Sequence, residues 1–128
     1  MQPEKTVNYS YPNKILANQI YLQGLWKSNP DDLQLESKNG LIILDFVARS
    51  VNIVADNLEN PVEVEVLIDG DYITRQQAGT DVRFEEERAF ILVDTPQLYN
   101  IVEGDYGNYE LTLRVTSSNF TFNAFTFG

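Results

Sequence analysis

Tyr109-Glu110-Leu111-Thr112-Leu113-Arg114-Val115 and, after Thr116-Ser117-Ser118-Asn119, Phe120-Thr121-Phe122-Asn123-Ala124-Phe125-Thr126-Phe127 are the stretch that decides the fold class. The first half alternates Tyr109, Leu111, Leu113 and Val115 with Glu110, Thr112, Arg114 and Thr116. A period of two, with one apolar and one polar face, specifies a half-buried antiparallel strand. In the second half Phe120, Phe122 and Ala124 share one parity, while Phe125 and Phe127 fall on the other. Either a bulge shifts the register there or the strand is buried on both faces. The stretch reads as a closing hairpin whose last strand is central.

Working outward, Val62, Val64, Val66 and Ile68 alternate with Glu63, Glu65 and Asp69, and Asp69-Gly70 marks a turn after them. Leu41 to Ala48 is apolar on both parities, Arg49-Ser50 breaks the run, and Val51, Ile53 and Ala55 resume it. Ile20, Leu22 and Trp26 form an early strand with Gly24 inside, the mark of a bulge or a close backbone approach. Asn29-Pro30-Asp31-Asp32 is a turn. Leu33 and Leu35 form a short strand, and Lys38-Asn39-Gly40 reads as a hairpin turn. Val82 to Glu85 and Ala89 to Val93 add two more strands. Gln97 to Gly107 reads as a connection, with Gly104-Asp105-Tyr106-Gly107 as a turn. Eight or nine strands and no helix imply an all-β fold: an antiparallel two-sheet sandwich, jelly-roll in type. Met1 to Lys14 reads as a linker or tail, and residues 15–128 as a single domain.

The chain of 128 residues carries a formal charge of −10 and no Cys or His. An acidic surface opposes phosphate contacts and anionic lipid, so neither nucleic acid nor membrane contact is expected. Without Cys or His there is no thiol nucleophile, no Ser-His-Asp triad and no ordinary zinc site. No run of 18 apolar residues is present, as a spanning helix would need.

The candidate site residues are few. Trp26, the single tryptophan, would offer a stacking platform for a sugar if its face were open; otherwise it belongs to the core. Tyr21, Tyr72, Tyr99 and Tyr106 lie near turns or strand edges, where they could add to a glycan or peptide surface. Arg49 and Arg88 flank apolar runs and either clamp a carboxylate or meet an anionic ligand. Asp69 and Asp71, with Asp56, could share a loop end and hold calcium, although Asp69-Gly70-Asp71 lacks the closing acid of a calcium loop. No other cofactor is expected. Glu85-Glu86-Glu87 would put two carboxylates on one strand face and one on the other, which is no paired-carboxylate hydrolase.

Five ordered segments carry a family resemblance: Gly24-Leu25-Trp26, Phe46 to Val54, Val66-Leu67-Ile68-Asp69-Gly70, Glu87 to Val93, and Ala124 to Gly128. From about Ile15 onward the chain resembles the C-terminal domain of DipZ-like thiol–disulfide proteins and related thioredoxin-like proteins. It departs at Ala89 and Phe90, where an Arg-Leu-Tyr run is usual, and at Asn123, where Tyr is usual. The lost hydroxyl at Phe90 weakens any sugar-binding role there. The resemblance implies a carbohydrate-binding-module-like jelly roll that follows a thioredoxin-like domain in the same polypeptide. That places it on the extracytoplasmic side of a bacterial membrane, in the periplasm or at the cell surface, with the redox cysteines upstream. The expected function is non-catalytic, an accessory role in interaction or substrate docking toward a protein or glycan. The alternative is a free-standing glycan-binding module.

Overall fold

A computed structural model describes residues 5–9 and 20–127. These residues form ten strands and, among themselves, no helix: β1 (Lys5–Tyr9), β2 (Ile20–Ser28), β3 (Leu33–Leu35), β4 (Gly40–Asn57), β5 (Val62–Ile68), β6 (Asp71–Tyr72), β7 (Arg83–Glu85), β8 (Arg88–Val93), β9 (Gln97–Val115) and β10 (Phe120–Phe127). The fold is therefore all-β. The strands hydrogen-bond in the order β1-β2-β3-β10-β4-β9-β5-β8-β7, with β6 on β5. A further pairing of β2 with β4 closes the path β2-β3-β10-β4 into a ring, a small barrel with the remaining strands outside it. All pairings are antiparallel.

Long strands make this closure possible. β4 is one strand of 18 residues, not two. Its register against β9 shifts between Ala48 and Ser50 and again between Val51 and Asn52; at both places the extra residues lie in β9, so the Arg49-Ser50 break sits opposite a bulge of the partner strand. The first half of β4 pairs with β2, and the second half pairs with β10. β9 runs beside it for 19 residues, so Gln97 to Gly107 is strand and not the expected connection. Tyr99, Ile101 and Val102 in that half are buried.

The closing hairpin is also corrected. β9 and β10 are consecutive but not neighbours, because β4 lies between them. β10 is central, as expected, and a bulge between Phe122 and Ala124 shifts its register. That one extra residue brings Phe122 opposite Ala55, Phe125 opposite Ile53 and Phe127 opposite Val51. The rings on both sides of the parity switch thus face the same core, with Phe120 and Phe122 buried and Phe125 packed against it.

Asn39-Gly40 is not a hairpin turn. β3 pairs with β2 and β10, and Gly40 opens β4 opposite Val115. Gly40 is required by packing: a Cβ there would stand 2.6 Å from Leu35 Cδ1 and 3.0 Å from Trp26 Cζ2. Gly24 is the close approach the sequence announced. Its φ is +108°, and a Cβ would meet Asn39 O at 2.8 Å. Asp69 and Gly70, with φ of 51° and 92°, make the two-residue turn between β5 and β6. Of the expected tail, Lys5–Tyr9 is β1 and pairs with β2; the remainder of Met1 to Lys14 lies outside the described residues.

Candidate functional site

The ring leaves an opening. β2 holds β4 through Ile20–Gln23, and β10 holds β4 through its second half. β3 is only three residues long and meets β10 at Thr121 and Phe122 alone. Beyond Phe122, the edge of β10 that faces away from β4 has no strand partner among the described residues. Between that edge and β2 lies a groove of about 760 Å³. Leu22, Leu44 and Phe122 form its floor, Ile20, Tyr21, Phe125 and Phe127 its walls, and the Asn29–Asp32 turn closes one end.

Local chemistry fixes that end. Asn29 N–H donates to Asp32 O at 2.9 Å, and its side-chain amide donates to Asp32 Oδ1 at 2.8 Å. Asn123, the bulged residue of β10, donates its amide to Asp31 O at 3.1 Å, which ties the turn to the strand. Phe127 is 51% exposed and Ile20 46%, so apolar surface stays open to solvent here. The residues lining the groove include Asp31 and Asp32 but no Lys or Arg.

A second cluster lies on the outer face of β5, β6, β8 and β9. Glu65 accepts from Arg88 Nε at 2.9 Å, from Arg114 Nε at 2.5 Å and from the Tyr72 hydroxyl at 3.0 Å. Arg88 also donates to Glu63 at 2.7 Å, and Arg114 donates to the Tyr72 oxygen at 2.9 Å. The Glu65 side chain is only 12% exposed. Burial alone would raise its pKa, but the hydrogen bonds from Arg114, Arg88 and Tyr72, with the Arg114 charge, hold it below the ordinary 4.5. The hydrogen bonds to Glu63 and Glu65 in turn raise the pKa of Arg88, and that to Glu65 raises Arg114. The cluster is thus a pin across four strands, β5, β6, β8 and β9. Tyr72 and Arg88, singled out in sequence as ligand contacts, are brought together in this pin.

The other singled-out residues scatter. Trp26 is 1% exposed, donates its indole N–H to Gln23 O at 3.0 Å and packs edge-on against Phe120. It has no open face on which a sugar could stack. Arg49 is exposed in β4 opposite the β9 bulge, with no ion pair among the described residues. Asp69 Oδ1 accepts Glu110 N–H at 2.9 Å, and Asp56 Oδ1 accepts Asn57 N–H at 2.7 Å. Asp56 adjoins the start of β9, where Ala55 faces Gln97, whereas Asp69 bonds Glu110 in the other half of that strand, so the three aspartates share no loop end. No group of three potential metal-binding side chains occurs among the described residues. Glu85–Glu87 is corrected too: Glu86 and Glu87, with φ of 51° and 67°, are the turn between β7 and β8. Tyr99 is buried and Tyr106 is 70% exposed, away from the groove; Tyr21 lines it. The signal for the groove in the sequence was the parity switch at Phe125 and Phe127.

Comparison with known proteins follows the same lines. The chain resembles, with a TM-score of 0.66, part of a family two carbohydrate esterase from Clostridium thermocellum solved in complex with cellohexaose. Sequence identity is 16%, and the match covers 86% of this chain but 31% of that one. An active-site mutant of a family two carbohydrate esterase from the same organism matches at 15% identity, a TM-score of 0.66, and 87% and 31% coverage. The chain thus spans about a third of these proteins, and the likeness is one of fold. Comparison with curated proteins finds no match. The family model described as "Thioredoxin like C-terminal domain" matches residues 1–128, and the chain belongs to that family.

Proposed function

We propose that this chain is a non-catalytic accessory domain that follows a thioredoxin-like domain in one extracytoplasmic polypeptide of the DipZ type and docks protein substrates for it. The observation that carries this reading is the groove. Its 760 Å³ falls in the range of ligand-binding clefts, and its walls combine exposed aromatic and aliphatic surface with a polar end. Redox cysteines must come from elsewhere, because this sequence has none. We read the ring-closed sheet as a jelly-roll variant of the carbohydrate-binding-module kind, a reading supported by the likeness to part of a carbohydrate esterase.

The test compares the full-length protein with a version lacking residues 1–128. Deletion is expected to lower kcat/KM on a disulfide-bonded protein substrate and to leave reduction of a small-molecule disulfide unchanged. Equal effects on both substrates would refute docking.

A glycan-binding role is the second reading. It is favoured by Tyr21, Phe125 and Phe127 standing beside Asn29, Asp31 and Asp32 in one groove. Calorimetric titration with cellohexaose decides it: heat of binding that is lost in Phe127→Ala supports the role, and no heat at millimolar sugar removes it.

A further inference from the structure

We propose that the edge of β10 from Ala124 to Phe127, which has no strand partner among the described residues, receives an extended basic peptide as an additional strand, with a cationic side chain set against Asp31 and Asp32. This rests on the docking reading and names the form that the docked segment takes. Four residues of β10 are hydrogen-bonded to β4 on one side, through Val54, Ile53, Asn52 and Val51, and meet no strand on the other among the described residues. An edge of this kind presents backbone N–H and C=O groups that an incoming chain satisfies by forming another ladder. Four residues at about 3.3 Å each give an edge roughly 13 Å long, enough for one short strand.

The edge is not blunted in the usual ways. It carries no Lys, no Pro and no charged side chain: Ala124, Thr126 and Phe127 are exposed, and Phe125 is half-buried. The one bulge, at Asn123, precedes it. Side chains on alternate positions of an added strand would point into the groove, over Ile20, Phe125 and Phe127. Apolar residues at those positions would cover surface that is now wet.

Charge selects the partner. The turn bonded to β10 through Asn123 ends the groove with two carboxylates, and neither forms an ion pair among the described residues. With no Lys or Arg among the lining residues and a chain charge of −10, an acidic segment is repelled and a basic one attracted.

The probe is the peptide acetyl-Lys-Val-Thr-Val-Lys-amide, titrated into the 128-residue chain with backbone amide resonances as the readout. Binding should perturb the amides of Ala124 to Phe127 and those of the 29–32 turn. A peptide N-methylated at alternate positions, or one with Glu in place of Lys, should bind at least about tenfold more weakly, as should the unmodified peptide to the exposed-site variant Asp31→Lys. Absence of binding at millimolar peptide overturns the proposal. So does binding that ignores N-methylation, or perturbation confined to other strands, although the latter leaves substrate docking by the domain standing. Self-association of the free chain through these same amides would assign the edge to a second copy and also overturn it. Perturbation by cellohexaose in place of the peptide would assign the groove to glycan with the same consequence.

Discussion

Replacing Glu65 by Gln removes one charge at the centre of the β5–β6–β8–β9 pin while keeping the volume of the side chain. At pH 7 the wild-type carboxylate accepts from Tyr72, Arg114 and Arg88. Charge-assisted hydrogen bonds contribute about 1.5–3 kcal/mol when dry and about 0–1 kcal/mol when exposed. Arg114 is 43% exposed, so its contact belongs near the lower range, while the Glu65 carboxylate itself is well covered. The Tyr72 and Arg114 contacts together give a loss of about 1–2 kcal/mol, or about 4–8 °C in Tm for a chain of this length. The pH dependence carries the sign. Glu65 has a lowered pKa in the folded state, so the unfolded chain takes up the proton first as the medium is acidified. The stabilisation is full above 4.5 and fades as pH falls through the lower native value. The difference between wild type and Glu65→Gln should therefore be widest near neutrality and close in acid. Trp26, alone and 1% exposed, supplies the fluorescence signal for urea and thermal unfolding. Equal stability of the two proteins at pH 7, or a difference that does not narrow in acid, would refute the assignment of the pin.

Three further variants test the packing and the turns. Gly40→Ala places a methyl group 2.6 Å from Leu35 Cδ1 and should destabilise by about 1–3 kcal/mol in urea unfolding, the usual cost of overpacking. Tyr99→Phe leaves Thr95 O without the 2.7 Å donor it now has, in a side chain 2% exposed, and should cost about 1 kcal/mol by the same measurement. Glu86→Asn with Glu87→Gly relieves two left-handed residues in the β7–β8 turn and should raise Tm, with a gain of about 0.5–1 kcal/mol after the entropy of Gly is subtracted.

Much of the fold was legible because burial follows side-chain parity. β5 was readable to the residue, since Val62, Val64, Val66 and Ile68 face the core and Glu63 and Glu65 are the acidic members of the pin. The first half of β9 was hidden for the opposite reason. Its one face is exposed, so Glu103, Gly104, Asp105 and Gly107 give it the composition of a loop while β4 supplies its hydrogen bonds. The Arg49-Ser50 break marked a real irregularity, but a bulge and a chain reversal leave the same trace in sequence. Long-range strand neighbours could not be read: β10 lies beside β4, more than sixty residues earlier, and not beside β9. The groove shares that difficulty, as its residues come from 20–22, 28–33, 44, 122–125 and 127 and only pairing assembles them. Trp26 drew attention by being rare, whereas its environment, built by Leu35, Gly40 and Phe120, decides its role.

The most direct test of the groove as a docking surface places Asp31→Lys or Phe127→Asp, two exposed positions at the groove, in the thioredoxin-like polypeptide proposed above. Reduction of a disulfide-bonded protein substrate and of a small-molecule disulfide are measured side by side. The account predicts a fall in kcat/KM of about tenfold for the protein substrate, a loss of roughly 1.4 kcal/mol, and an unchanged rate for the small disulfide. Unchanged rates on both substrates would contradict it.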